Sequence, residues 1–219
     1  MTCEQWQTVT EVPTLADTEI HVWQIDLANQ ACCPEYMDDA ERARWQAMQH
    51  PLSAQRFCAM RTALRSLLGA YLHIAPAAVQ IALGKQGKPE LINTTKPFFF
   101  NLSHTGHIAV IACSTNSPVG IDIERTRTIT SERHIAERVF SPAYLAILQA
   151  AEYEPAVFLR LWVQWEAQQK CLGLGLLKRS NEPPPLDFFV GHWEKGQLSV
   201  AWMKSEERPR VRLLKLAPT

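Results

Sequence analysis

The chain has no long apolar run, no excess of charge of one sign and no secretory signal pattern. No uninterrupted apolar stretch approaches the roughly 18 residues that a membrane span needs, so no membrane association is expected. Lys and Arg number 22, as do Asp and Glu, which argues against a general nucleic-acid or anionic-membrane binder. The N-terminus has no basic segment followed by an apolar one, so export is not predicted.

Metal-type cysteine spacing is also missing, although the chain contains six cysteines. None of them forms a CxxC pair or another zinc-type spacing. Cys58 and Cys171 fall within helical patterns, where a thiol packs as a small apolar group. We therefore expect reduced thiols in a cytoplasmic protein, without a disulfide framework.

The composition is that of an ordinary globular protein. The chain has 219 residues, of which 47% are apolar and 20% are charged, so it can bury its own core. Helical and strand patterns occur in two halves that meet near residue 117, which predicts subdomains over 1–117 and 118–219. Short links between successive strands leave little room for crossover helices, so the pattern predicts α+β architecture with antiparallel pairing.

Two helical patterns stand out. The longer one, 53–72, begins after Pro51 with Ser53 as its cap and has apolar residues at three- and four-residue steps. Its arginines lie off that stripe, where they form either a solvated basic face or an anion-binding edge. These arginines are Arg56, Arg61 and Arg65. The other pattern begins at Pro155 and ends before Gly173.

The strand pattern 119–124 brings two carboxylates together. Asp122 and Glu124 share one face of the strand, with Cα atoms about 6.6 Å apart, and the apolar residues share the other. Carboxylates this close repel each other unless they are exposed or joined by a cation. The pair is thus either an exposed polar face or part of a magnesium site.

In the helix 155–172, Glu166 and Lys170 are four residues apart and face the same side. As a surface ion pair they would contribute a few tenths of a kcal/mol. Alternatively, Glu166 supplies a third carboxylate to a metal, and a partly desolvated Lys170 loses a proton.

The segment Phe100-Asn101-Leu102-Ser103-His104-Thr105-Gly106 ends a strand in residues that bind phosphate. A serine hydrolase is a competing interpretation. However, Ser103 and His104 are adjacent and point to opposite faces of a strand, and no GxSxG motif is present.

Taken together and in this order, these segments resemble the 4′-phosphopantetheinyl transferases of the monomeric surfactin-synthetase-activating (Sfp-like) type. The matching stretches are Gly87-Lys88-Pro89, Phe100 to Gly106, Val119 to Glu124 and Trp162 to Leu176, with the arginine-bearing helix before them. The resemblance covers roughly residues 40 to 176. It implies two similar subdomains related by a pseudo-twofold axis, each an antiparallel sheet packed with helices, in a chain that suffices as a monomer.

The resemblance also implies a reaction and its residues. The family transfers the phosphopantetheine arm of coenzyme A to a serine of an apo acyl or peptidyl carrier protein and releases adenosine 3′,5′-bisphosphate. By this resemblance Mg²⁺ is held by Asp122, Glu124 and Glu166, and the carrier serine loses its proton to Lys170 or to a water held by Glu166. Coenzyme A is bound by Ser103 and His104 at its phosphates, by Lys88 beside the adenine nucleotide, and by Arg44 and Arg56 at the 3′-phosphate.

The chain departs from the family pattern at Trp165, because the family usually reads Trp-x-x-Lys-Glu-Ala where this chain reads Trp162-Val163-Gln164-Trp165-Glu166-Ala167. Trp165 falls within the apolar stripe and is expected to pack there. The missing ammonium should weaken coenzyme A binding or slow transfer. An alternative function is therefore a non-catalytic member of the fold that binds coenzyme A or a carrier protein. A different metal-dependent phosphoryl enzyme is the third interpretation.

Carrier proteins are usually acidic, so a basic or apolar docking patch is expected near the site. The region 125–160 is predicted to provide it. It contains Arg125, Arg127, Arg133, Arg138, Phe140 and Tyr144.

Overall fold

A computed structural model describes residues 5–126, 132–175, 184–193 and 196–217, except for the side chain of Lys85. The helices in these ranges are α1 (Asp39–Gln46), α2 (Pro51–Leu72), α3 (Glu132–Val139), α4 (Pro142–Ala150) and α5 (Pro155–Leu172). The strands are β1 (Gln7–Val9), β2 (Glu19–Asp26), β3 (Ile81–Leu83), β4 (Pro89–Leu91), β5 (Phe99–Thr105), β6 (Ile108–Ser114), β7 (Val119–Arg125), β8 (Leu186–Trp193), β9 (Gly196–Met203) and β10 (Arg210–Leu216). None of the described helices is long and apolar enough to cross a membrane.

The strands form two main sheets and one small hairpin. The five-stranded sheet has the order β1-β10-β2-β6-β5, the three-stranded sheet has the order β7-β9-β8, and β3 pairs with β4. All pairings are antiparallel except those of β10, which runs parallel to both β1 and β2. The predicted α+β class is confirmed. The parallel pairs arise because β10 reaches its sheet from the C-terminal half, and not through a hairpin with either neighbour.

Four layers build the core. The two sheets face each other through an apolar cluster that includes Val22 and Val110 from one sheet and Ile121 and Val200 from the other. Helix α2 packs on the outer face of the five-stranded sheet, and α5 packs on the outer face of the three-stranded sheet. Burying one aliphatic side chain in such a layer contributes about 1.5–3 kcal/mol.

The division of the chain near residue 117 stays a prediction. Strands β6 and β7, on either side of it, lie in different sheets. Strand β10 crosses back to join the N-terminal sheet, so the two sheets do not separate cleanly along the chain.

Local signals define the helix ends. Asp38 caps α1 in a capping box, because its side chain accepts from the Glu41 N–H and the Glu41 side chain accepts from the Asp38 N–H. Helix α2 begins at Pro51, two residues before the predicted Ser53, because proline fits the first helical turn. Helix α5 ends as predicted at Gly173, whose φ of 65° is left-handed.

Two residue-level predictions are wrong. Cys32 and Cys58 form a disulfide that ties the loop after β2 to α2, so the expectation of reduced thiols without a disulfide fails here. Arg65 is neither on a solvated face nor at an anion-binding edge, because its side chain is 1% exposed. Its ion pairs with Asp38 and Glu41 anchor α1 to α2, and it also donates a hydrogen bond to the Val79 carbonyl.

Candidate active site

Three side chains from three elements meet between the edge of β5, the edge of β7 and helix α5. Lys170 Nζ donates to Asp122 Oδ1 at 2.6 Å and to Ser103 Oγ at 3.0 Å. Ser103 Oγ donates in turn to the same carboxylate oxygen at 2.8 Å. Residues predicted from separate motifs therefore form one hydrogen-bonded cluster.

Glu166 lies beside this cluster, with its Oε2 3.5 Å from Lys170 Nζ. Burial raises the pKa of Glu166 to about 7, and the charges on Asp122 and Glu124 act in the same direction, against the opposing effect of Lys170. Glu124 lies on the same face of β7 as Asp122 and is half-buried. The other two predicted carboxylates are thus close enough to Glu166 to raise its pKa.

Strand alternation and one glycine bring these groups together. On β7, Val119, Ile121 and Ile123 join the core between the sheets, which leaves the carboxylates facing α5. A Cβ at Gly120 would collide with the backbone of α5 at Ala167 and Cys171, so only glycine permits this close approach.

Asn101 is a site-building residue that the motif analysis did not single out. Its Oδ1 accepts the Ile121 N–H at 3.0 Å, and the side chain is buried. This bond ties β5 to β7 across the two sheets and so fixes Ser103 relative to Asp122. The sequence does contain a signal for this role, because Asn101 interrupts the apolar run from Phe98 to Leu102. A buried amide needs a hydrogen-bond partner.

The donor chemistry fits a divalent cation in part. Asp122 Oδ2 is buried and has no hydrogen-bond partner within the described ranges, and burial, followed by the charge on Asp122, raises the pKa of Glu166. In the same ranges, no group of three or more His, Cys, Asp or Glu side chains is arranged to hold a metal ion. The Lys170 ammonium lies between Asp122 and Glu166 and supplies the positive charge there.

The predicted anion-binding residues fall into two groups. Partial burial lowers the pKa of His104, and the positive charges of Lys170 and then Arg56 lower it further, so these cations lie near the imidazole. The second group lies around the ring of Phe57 and includes Arg44 of α1. The Cζ of Arg44 lies 5.3 Å from the centre of this ring, and the Cζ of Arg61 lies 5.1 Å from it.

Lys88 occupies a structural position between β7 and α5. Its Nζ donates to the Val119 carbonyl at 3.1 Å and to the Cys171 carbonyl at 2.9 Å, and burial lowers its pKa. The ammonium therefore bridges the start of the carboxylate-bearing strand and the end of the helix that carries Lys170.

Trp165 packs as expected. It is 6% exposed and belongs to an apolar cluster with Phe158 and Leu161 of its own helix and Phe140 after α3. This cluster joins α3 and α4 to α5, so the predicted docking region is packed against the site helix. Arg127, which was predicted to belong to that region, and Leu176, the end of the last motif, lie outside the described residues.

Comparison with known sequences assigns the class. Residues 118–217 match the profile of the 4′-phosphopantetheinyl transferase superfamily. The 4′-phosphopantetheinyl transferase HetI of Nostoc sp. is 32% identical over 173 residues, which is 75% of this chain and 73% of that protein.

Two further relatives agree with this assignment. The protein slr0495 of Synechocystis sp. is 34% identical over 68% of this chain, and the match spans 62% of that relative. The 4′-phosphopantetheinyl transferase Sfp of Bacillus subtilis is 29% identical over 75% of this chain and 70% of its own length. The chain belongs to the 4′-phosphopantetheinyl transferase family. The resemblance predicted from the four motifs and the assignment to a class of transferases are confirmed.

Proposed function

We propose that this protein transfers the phosphopantetheine arm of coenzyme A to a serine of an apo acyl or peptidyl carrier protein. The serine oxygen bonds to the pantetheine-bearing phosphorus, the pyrophosphate P–O bond breaks, and adenosine 3′,5′-bisphosphate leaves. The observation that carries this proposal is the cluster in which Lys170 Nζ reaches both Asp122 and Ser103, beside the carboxylate of Glu166. Family membership supplies the substrates.

The proposed metal ligands are Asp122, Glu124 and Glu166, which would hold Mg²⁺. When bound, the ion would neutralise the charge that develops on the leaving phosphate. The unpartnered Oδ2 of Asp122 and the raised pKa of Glu166 support this assignment, because both are relieved by an added positive charge.

The proposed general base is a water held by Glu166, which would take the proton of the carrier serine. Lys170 was the other candidate. Since its Nζ donates to two oxygens and approaches a third, we assign it the role of orienting donor at the coenzyme A phosphates.

Coenzyme A binding is assigned to the remaining predicted residues. Ser103 and His104 would contact its phosphates, and Arg44 and Arg56 its 3′-phosphate. Lys88 would lie beside the adenine nucleotide. Because its ammonium already bonds two backbone carbonyls, we expect Lys88→Met to weaken coenzyme A binding less than Arg56→Ala does.

The proposed partner surface is the region 125–160, which includes α3 and α4. Arg133 is well exposed there, with a side chain 71% accessible, and could meet an acidic carrier protein. We also propose that the protein acts as a cytoplasmic monomer. Light scattering after size-exclusion chromatography tests the oligomeric state.

The alternative of a non-catalytic binding protein rests on Trp165. It is not favoured, because the tryptophan replaces one cation while Lys170 keeps its contacts with Asp122 and Ser103.

The direct test is to incubate the purified protein with coenzyme A, magnesium and an apo carrier protein. The carrier should gain the mass of one phosphopantetheine arm, and a chelator should abolish the gain. Binding of coenzyme A without a mass change on any carrier would favour the non-catalytic alternative. Release of inorganic phosphate would instead favour a different phosphoryl enzyme.

A further inference from the structure

A second concentration of cationic side chains lies at the far edge of the molecule from the proposed transfer site. Strands β5 and β7, which carry Ser103 and Asp122, lie at one edge of their sheets, whereas β1 and β8 lie at the opposite edges. A cavity of about 430 Å³ opens where β8, β1 and β10 come together. Its lining includes an arginine at every second position from 208 to 212, two glutamines and Phe189. We call it the arginine cavity, after Arg208, Arg210 and Arg212.

Two of the three guanidinium groups are held in place. Arg208 donates to the Phe188 carbonyl at 2.8 Å, and its Cζ lies 5.7 Å from the ring centre of Trp202. Arg212 donates to Gln7 Oε1 at 3.4 Å and lies 3.6 Å from Glu19 Oε2. Side chains restrained in this way lose less conformational entropy when a ligand binds.

The third arginine leaves the cavity with uncompensated charge. Arg210 is exposed, alternates onto the same face of β10 as Arg212, and makes no ion pair with any described residue. Within the described ranges, Glu19 is the carboxylate that pairs with one of these arginines, Arg212, and it also pairs with His21. The cavity thus presents about two net positive charges in a molecule whose formal net charge is zero.

We propose that the arginine cavity binds the phosphate group of a small molecule, at a site separate from the transfer site. The planar fork of a guanidinium matches two phosphate oxygens at once, and three such forks with neighbouring amide groups suit a dianion. The Phe189 ring forms an apolar wall on which the organic part of a phosphate ester can pack. The ligand class is a free phosphate or a nucleoside monophosphate.

Calorimetric titration of the protein in low salt tests this proposal, and a variant of Arg210, which lies away from the transfer site, separates binding in the cavity from binding at that site. Inorganic phosphate is the first probe and adenosine 5′-monophosphate the second. Both should bind the parent protein, and Arg210→Ala should weaken binding about 10-fold, as expected for loss of a charge-assisted hydrogen bond. Tighter binding of the nucleotide than of phosphate assigns the organic part to the Phe189 wall, and equal binding assigns recognition to the phosphate alone.

Lys204→Ala is the matched control, because it removes one positive charge from the loop before β10 without altering the cavity lining. It should bind both probes like the parent. Arg210 is exposed, so its replacement should leave the fold intact, and an unchanged melting temperature checks this. The proposal is overturned if the parent binds neither probe, if Arg210→Ala and Lys204→Ala weaken binding equally, or if only an oligoglutamate peptide binds.

Discussion

At position 165 this chain has a buried tryptophan in place of a polar residue of the family pattern. The family pattern has a lysine here, whereas this side chain is 6% exposed and contacts Trp162 with ring centres 5.3 Å apart. Because the position faces α3 and α4, a cation placed there would lose its solvation. Lys170, farther along α5, brings positive charge to the cluster with Asp122 and Ser103.

We predict that Trp165→Lys does not restore a pyrophosphate contact but destabilises the protein. It removes a buried aromatic side chain and places an ammonium in an apolar cluster, at a cost of about 3 kcal/mol in the free energy of unfolding. Urea denaturation measures this cost. Trp162→Lys is the control, since Trp162 is only partly buried on the same helix and should cost less. An unchanged stability together with a lower KM for coenzyme A would contradict this account.

Glu166 gives a prediction about pH and stability. Its pKa in the fold is about 7, above the ordinary value of 4.5, so the ionised carboxylate disfavours folding. Stability that is present below pH 4.5 is lost as the pH rises through about 7. In the absence of metal and coenzyme A, Glu166→Gln should therefore melt above the parent at pH 8 and close to it at pH 5.

The control for this comparison is Glu35→Gln, a change at an exposed carboxylate far from the site. Its melting temperature should follow that of the parent at both pH values. A Glu166→Gln variant that melts below the parent at pH 8 would show that the carboxylate is stabilised by Lys170 more than it is penalised by burial.

At the scale of elements, the site depends on how closely α5 approaches β7. A Cβ at Gly120 would meet backbone atoms at Ala167 and Cys171, which cannot rotate away as a side chain could. The helix would have to shift, and with it Glu166 and Lys170. Lys88 reinforces this contact beside Gly120, because its ammonium donates to the carbonyls of Val119 on β7 and Cys171 on α5.

We predict that Gly120→Ala lowers the kcat for transfer about 100-fold, the size of effect that a displacement near 1 Å produces in an active site. Gly175→Ala is the control, because its added Cβ would meet only the Gln86 side chain, at 3.6 Å. Steady-state kinetics on both variants gives the answer. Equal kcat values would mean that the approach of α5 to β7 does not position the catalytic groups.

Periodicity predicted individual elements but not their assembly. It indicated α2, α5, β7 and the end of β5, whereas β1, β3 and β4 have three residues each and are too short to show alternation. It could not predict that β10 joins the N-terminal sheet, because strand order depends on packing between distant segments. The same limit applies to the candidate site. Motifs identified Ser103, Asp122 and Lys170 one by one, while their shared hydrogen bonds depend on Asn101 and Gly120, whose roles are set by tertiary contacts.

At the scale of the whole molecule, a disulfide and the ion pairs of the buried Arg65 both fasten N-terminal segments to α2. Cys32 and Cys58 are 26 residues apart, and closing such a loop stabilises a fold by about 3 kcal/mol in the chain-entropy account. Arg65 adds contacts to Asp38 and Glu41 on α1. Together they hold α1, which carries Arg44, against the helix that carries Arg56.

We predict that reduction adds two reactive thiols to those found in the denatured, unreduced protein, because Cys32 and Cys58 are paired. A dithiol reductant should raise the count to six and lower the melting temperature by roughly 6–12 °C. Thiol titration and calorimetry measure the two effects. Six thiols before reduction would mean that Cys32 and Cys58 stay reduced in the purified protein, as a reducing cytoplasm favours.

The cluster around Lys170 and Glu166 is the proposed place of phosphopantetheine transfer. The most direct measurement is the single-turnover rate of carrier modification by the parent, Lys170→Met and Glu166→Gln, with coenzyme A binding followed separately by calorimetry. Glu166→Gln should slow transfer by about 10²–10⁴-fold but should still bind coenzyme A. Lys170→Met should lower both the transfer rate and the affinity for coenzyme A. Transfer at the parent rate by both variants would contradict the account.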